Sequence, residues 1–541
     1  MGAPGGRPRR RDGKVSKGLG SLGSSSIPEP GGRGKAVETQ PFPAFRRKAG
    51  MAQTRSVSLW SGHRPTMVAA GCFLAAAVLG WVTTHFGSIR DFEPAGIATA
   101  SRTLNAIMSV TMTSIALILP LTANLYTPRL VKLYVAHPLI VSGLSILVFS
   151  NLLLMALHFF PPGHAFVRVG IWVIAFTYLV VLAGVLPYLF GISRFLRPSF
   201  FMPMLTRKGL RSLQELSRGR RLEANKDELF ETIDVVTNVA LTGMARGDRQ
   251  LVMLALKSLH ALLEGIIQCA GPELSAWRGS RPWFVPGLAR EGQDFLSRER
   301  VWPEAYVLAQ ILKVAEVANR RQHELLSELA ARLVDTARLA CATGSEPVIE
   351  LHVMTFNTLL REALEEKDLR RFQNLSYHYR LLIEAFHADP DRMHEATRHL
   401  LHYARLAARQ GIAFAFETVI YDLGELVLSL ARRDEAAAVE LVQAWAGPVW
   451  QEAIAPDSAM KKVGWRTLLR THWEARAAGL KEVAEAIFWR FLADEAIHRE
   501  QLELLLEEDR ELHYEFNDRL MRFAHLSPPA WQQAQAFLEQ W

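Results

Sequence analysis

The sequence predicts an all-α protein in two parts: a four-helix transmembrane domain followed by a cytoplasmic helical domain, an irregular α-solenoid or bundle. Three observations carry this. Long uncharged apolar runs are confined to residues 66–192. After about Arg207 the chain is rich in Glu, Arg, Ala and Leu at helical spacing. Strand signals are nearly absent along the whole length.

The chain opens with a tail, residues 1–64, rich in Gly, Pro, Ser and Arg. Such a composition buries too little apolar surface to offset the entropy of ordering, so disorder is expected. The tail has no apolar core of the kind a signal peptidase reads, and MGAPGG lacks the Ser or Thr that myristoylation needs at the sixth position. Met51 is an alternative start.

Residues 65–193 hold the predicted transmembrane domain. The first span, about Met67 to Phe86, has Gly71, Ala75, Ala76 and Gly80 at a spacing that lets two helices approach closely. The second, Leu104 to about Tyr126, is apolar yet carries Ser109, Thr113, Ala116, Pro120 and Asn124 on one face, a polar stripe expected in the interior of a bundle, and Pro120 is expected to break it. The third, about Pro138 to Phe160, places Asn151 near its middle, where a buried amide needs a partner; the second-span hydroxyls are the expected ones. The fourth runs from about Phe166 to Ile192. Lys and Arg cluster before the first span, between the second and third, and after the fourth, so both termini are expected in the cytoplasm.

Residues 194–222 form a basic juxtamembrane collar. Arg194, Arg197, Arg207, Lys208 and Arg211 alternate with Phe195, Phe200, Phe201, Met202 and Met204. This composition predicts aromatic and aliphatic groups at headgroup level with cations on anionic lipid. The net charge of +8 arises here and in the tail, flanking membrane helices, so nucleic acid is not the expected partner.

Residues 223–541 form the cytoplasmic all-α domain. Candidate helices begin at Ala224, Arg249, Pro303, Gln322, Pro347, Leu369, Arg392, Ala413, Asp434, Asp457, Lys481 and Pro529. Between them ARGD, GSEP, EEKD, HADPD, RQG, RRDE, APDS and SPP supply turn residues and N-caps. No repeat consensus recurs.

The usual catalytic signatures are missing: no phosphate-binding Gly loop, no nucleophile elbow and no HExxH are present. His394, Glu395 and His399 miss the zinc spacing by one residue, which turns the two rings away from each other on a helix. Glu384 with His387 and Glu495 with His498 have di-iron spacing but read as solvated faces. The three cysteines, Cys72, Cys269 and Cys341, are too scattered for a disulfide framework or a CxxC site. No catalytic residue, metal or cofactor is therefore assigned. The spans also lack ionisable residues away from their ends, which argues against a proton relay.

The run SVTMTSIALILPLTANLYTPRLVKLY, followed after HPLIVSG by another apolar span, resembles the bacterial membrane proteins grouped as domain of unknown function 2254. Thr127, Pro128 and Arg129 match that family's Ser/Thr-Pro-Arg turn. Farther on, ALTGMARGDRQLV offers Asp248 to a second family motif but lacks its Asn, Pro and final Thr-Ala, so no role tied to that motif carries over. The resemblance implies a multi-pass inner-membrane location and no activity. Beside a membrane-bound enzyme whose site carries no recognisable motif, two functions are then open. One is a membrane-anchored interaction or sensor domain with a cytoplasmic protein partner. The other is an oligomeric channel or transporter subunit lined by Ser109, Thr113, Pro120, Asn124 and Asn151.

Overall fold

A computed structural model describes residues 94–125, 138–157, 197–269, 288–318, 323–452, 459–492 and 525–540, with isolated positions between these ranges. Every regular element among the described residues is helical.

The apolar part contributes α1 (Pro94–Leu125) and α2 (Pro138–Leu157). At 32 residues, about 48 Å of helix, α1 begins well before the expected Leu104. It also runs through Pro120 without a break. Proline removes one backbone hydrogen bond and crowds one carbonyl, and the flanking turns of a long helix can absorb that. Leu104, Met108, Thr111, Ile115 and Ile118, spaced three or four apart, form the seam that meets α2. Leu104 lies with Leu147 and Leu154 of α2 and with Val181. Farther along, Ile115, Ile118 and Leu119 surround Ile140 beside Tyr188. Gly143 lets the Tyr188 ring sit close, since a Cβ there would lie 2.4 Å from it. The first predicted span, the Thr127–Pro128–Arg129 turn, Arg194 and most of the fourth span lie outside the described residues.

The helical domain contains α3 (Pro198–Ser217), α4 (Leu222–Arg246), α5 (Arg249–Gln268), α6 (Arg290–Glu299), α7 (Trp302–Val317), α8 (His323–Thr343), α9 (Glu346–Glu365), α10 (Leu369–Glu384), α11 (Pro390–Arg409), α12 (Ala413–Ala431), α13 (Glu435–Glu452), α14 (Ala459–Ala477), α15 (Lys481–Ile487) with a π-helical turn at Phe488–Leu492, and α16 (Pro528–Gln540). From α7 on, successive helices fall into two layers. α5, α8, α10, α12 and α14 pack in sequence in one; α4, α7, α9, α11, α13 and α15 do so in the other. Short turns joining antiparallel neighbours produce this alternation. The α6 segment was not expected from periodicity. α5 is long and apolar enough to cross a membrane, as is 101–120. It is instead a core helix, with Leu251, Val252, Ala255, Leu256, Leu259, Leu262 and Leu263 buried in the domain.

The turns explain the sharp boundaries. After α4, α8, α9, α11 and α14 the chain closes with the same bond, Asp248 to Gly243, Ser345 to Ala340, Asp368 to Ala363, Ile412 to Ala407 and Leu480 to Ala475, each N–H reaching a carbonyl of the last turn. The residue before it is left-handed: Gly247, Gly344, Lys367, Gly411 and Gly479. Asp248, Asp368 and Asp389 then cap the next helix, accepting from Leu251, Arg371 and Arg392.

Buried polar groups tie helices both within a layer and between the layers. Asp422 of α12 accepts from Ser376 of α10 at 2.5 Å. Arg371, fully buried, meets Glu362 at 2.9 Å and Glu366 at 3.3 Å. His352 Nδ1 sits 2.8 Å from the Val348 carbonyl and so carries the proton, leaving Nε2 to accept from Thr336 at 2.9 Å.

Candidate functional site at the foot of the apolar helices

The apolar helices and the helical domain meet at α3. Pro198 starts the helix, where its missing N–H costs nothing. Phe201, Met202, Leu205, Leu213 and Leu216 recur at helical spacing and enter the core of the domain. Two glycines bring α3 close to its neighbours. A Cβ on Gly209 would lie 2.8 Å from Leu262, and one on Gly265 of α5 would lie 2.6 Å from Leu210. Glu228 of α4 clamps the joint, accepting from Ser212 at 2.7 Å and pairing with Lys208 at 3.0 Å. Burial pushes the Glu228 carboxyl up, but the bonds from Ser212 and Lys208 outweigh it and hold the group below the ordinary glutamate value.

The other side of α3 looks to the apolar part. Phe200 and Met204 pack beside Ile140 of α2, with Ile115, Ile118 and Leu119 of α1 and Tyr188. Continuing that line at intervals of three and four come Arg207 and Arg211, both exposed. One edge of α3 therefore changes from apolar to cationic as it leaves the apolar helices. The collar is thus corrected: Phe201 and Met202 are in the protein core, not at headgroup level, because α4 and α5 present the apolar surface that covers them. Arg197 is also exposed, whereas Lys208 is held by Glu228.

The polar residues of α1 are arranged differently from the expectation. Ser109, Thr113 and Pro120 are exposed, on a face roughly 150° from the seam with α2. Asn124 lies in the last turn. Asn151 does not meet the α1 hydroxyls. Its Nδ2 donates to the Leu147 carbonyl at 3.0 Å and to Met108 Sδ at 3.5 Å. The reason is rotational: the seam carries Met108 beside Asn151, and Ser109 and Thr113 point away from α2. Ser114 and Ser150 bond back to Val110 and Ile146 on their own helices.

Large apolar side chains are exposed mainly on this part. Ten of the fifteen such residues among those described, Val110, Met112, Leu117, Val135, Val141, Val148, Phe149, Leu152, Met155 and Phe159, fall between residues 110 and 159. Water does not tolerate that concentration on a monomer surface, so the belt calls for a cover. Among the described residues no cluster of three His, Cys, Asp or Glu side chains is placed to hold a metal ion.

The sequence missed α3 as a structural joint. The available signal was its double pattern, a wide apolar stripe at 201, 202, 205, 213 and 216 beside a narrow one at 200 and 204.

No family model matches the chain, and no curated protein matches it. Among solved structures it is similar to a circular tandem repeat protein with novel repeat topology and enhanced subunit contact surfaces, at 16% identity and a TM-score of 0.33, over 81% of this chain and 98% of that one.

Proposed function

We propose that the chain is a multi-pass protein of a bacterial inner membrane, both termini cytoplasmic, whose four spans anchor a helical interaction or sensor domain. Membership in the family of domain of unknown function 2254 is part of this proposal. The observation that carries it is α3, which buries Phe201, Met202 and Leu205 in the domain while Phe200 and Met204 contact the ends of α1 and α2. A helix seated in both parts moves with both, so a change in partner binding on the domain reaches the spans as a shift of one rigid element. The exposed apolar belt of α1 and α2 supplies the lipid-facing surface, and Arg197, Arg207 and Arg211 stand where anionic headgroups would lie. Alkaline carbonate washing of membranes tests the anchor. The chain is expected to stay in the pellet, and release into the supernatant would end this reading.

A second reading, an oligomeric channel or transporter subunit, is favoured by one observation: the stripe of Ser109, Thr113 and Pro120 is exposed on a single chain. Several copies would place it around an axis. Native mass measurement in mild detergent, followed by ion flux in liposomes, decides it. A monomer that conducts nothing removes the channel.

A further inference from the structure

A C-terminal segment lies across two consecutive helices of one layer. His525, Leu526 and Ser527 are non-helical and lead into α16. Arg470 of α14 donates from Nε to the His525 carbonyl at 2.8 Å. One turn on, Glu474 accepts the Ser527 backbone N–H at 2.5 Å and its hydroxyl at 2.9 Å. The ring of Phe523 sits 5.0 Å from Tyr421 and 5.6 Å from Phe414, both on α12. Leu526 is buried between these contacts, and α16 follows along α14 with Phe537 5.3 Å from Trp473.

Two features distinguish this contact from ordinary core packing. The first is what is gripped: a cation and an anion on one helix hold main-chain groups of a non-helical stretch, which is how a helical layer takes up a peptide. The second is that the gripping cation is set independently of the segment. Arg470 is fixed by Glu425 at 2.8 Å and lies 4.5 Å above the Tyr421 ring. Its Nη1 is buried with no hydrogen-bond partner, a donor left over at the site. The segment itself adds little to the core. From Leu526 onward its fully buried side chains are Leu526, Ala530 and Ala534, while Trp531, Phe537 and Leu538 are only half-buried.

We infer that the face formed by Phe414, Tyr421, Glu425, Arg470 and Glu474 is a peptide-binding surface, and that Phe523 with residues 525–540 is its occupant in cis. A partner's extended segment, with an aromatic residue four positions before a serine, takes the same place when the C-terminal strap lets go. This deepens the interaction-domain reading by giving that domain a class of partner, and it does not depend on how the chain sits in a membrane.

The test uses the purified chain in detergent, with a fluorescein-labelled peptide of residues 520–541 as the probe. A chain ending at Arg522 is expected to bind it saturably. The full chain should bind at least tenfold more weakly, and Arg470→Ala in the shortened chain should also lose at least tenfold. A shortened chain with unchanged helicity that shows no saturable binding overturns the inference. Should the shortened chain not fold, hydrogen exchange on the full chain decides. Amides of α16 are expected to exchange at least a hundredfold faster than those of α14. Equal protection of the two helices would make the strap an integral part of the core and overturn the inference as well.

Discussion

Phe200 and Phe201 are adjacent in sequence and serve different parts of the molecule: Phe201 is 3% exposed in the core of the helical domain, and Phe200 packs with Ile140 of α2. The division follows from the helix, which turns about 100° per residue. Phe201→Ala is expected to destabilise the domain by about 3–5 kcal/mol, the usual cost of emptying a core phenylalanine site. Phe200→Ala should leave the domain's urea midpoint nearly unchanged, followed by fluorescence of the buried Trp302 and Trp473. It should instead broaden the distance distribution between spin labels at Val148 and Asp227. Equal loss of stability in both variants would contradict the division.

Three buried histidines predict acid sensitivity. Burial, with help from Arg332 and His352, lowers His260 to about 3. Burial lowers His352 to about 4 against the opposing bond to Val348, and lowers His472 to about 4 against the bond to Ala484. Each ring is neutral when folded and takes a proton on unfolding below its ordinary value, so stability is full above about pH 6.5 and falls as the pH drops toward the folded values. The loss at pH 4 is on the order of 3 kcal/mol per ring. Urea midpoints measured from pH 7.5 to 4.5 should decline steadily, with a shallower slope in His352→Gln. A flat profile would count against it.

Lys367 occupies the left-handed turn position, φ 55°, that glycine fills in the five sister turns at Gly219, Gly247, Gly344, Gly411 and Gly479. A side chain there costs roughly 1 kcal/mol. Lys367→Gly should raise the thermal midpoint, and a lower midpoint would show that the lysine side chain contributes more than its backbone strain.

Gly424 lets α12 and α14 approach: a Cβ there would lie 2.4 Å from Thr471 Oγ1. Gly424→Ala is expected to cost about 1–3 kcal/mol through overpacking. Adding Thr471→Ala should return part of it, and a double-mutant cycle with no coupling would rule out the clash as the cause.

Much of the fold is legible in the residues themselves. The ARGD, GSEP, EEKD, HADPD and RQG turns stand between helices as their local chemistry dictates, since left-handed glycines and aspartate caps act within a few residues of themselves. Leu369 and Ala413 begin their helices where expected. Less of the candidate site could be read. The collar's aromatic and basic composition pointed Phe201 and Met202 at lipid, yet the surface that covers them comes from α4 and α5, whose residues follow them in the chain and whose position no local rule encodes.

What the sequence by itself determined is therefore the helical class of the chain, where helices start and stop, and which stretch is apolar enough to need a cover. The tertiary structure alone decided rotation and partnership: that Asn151 meets Leu147 and Met108, that Ser109 and Thr113 face outward, and that Arg470 and Glu474 hold Ser527 and its neighbours. Local periodicity sets the pattern around each helix axis, but a face becomes interior or exterior only through the distant surface brought against it.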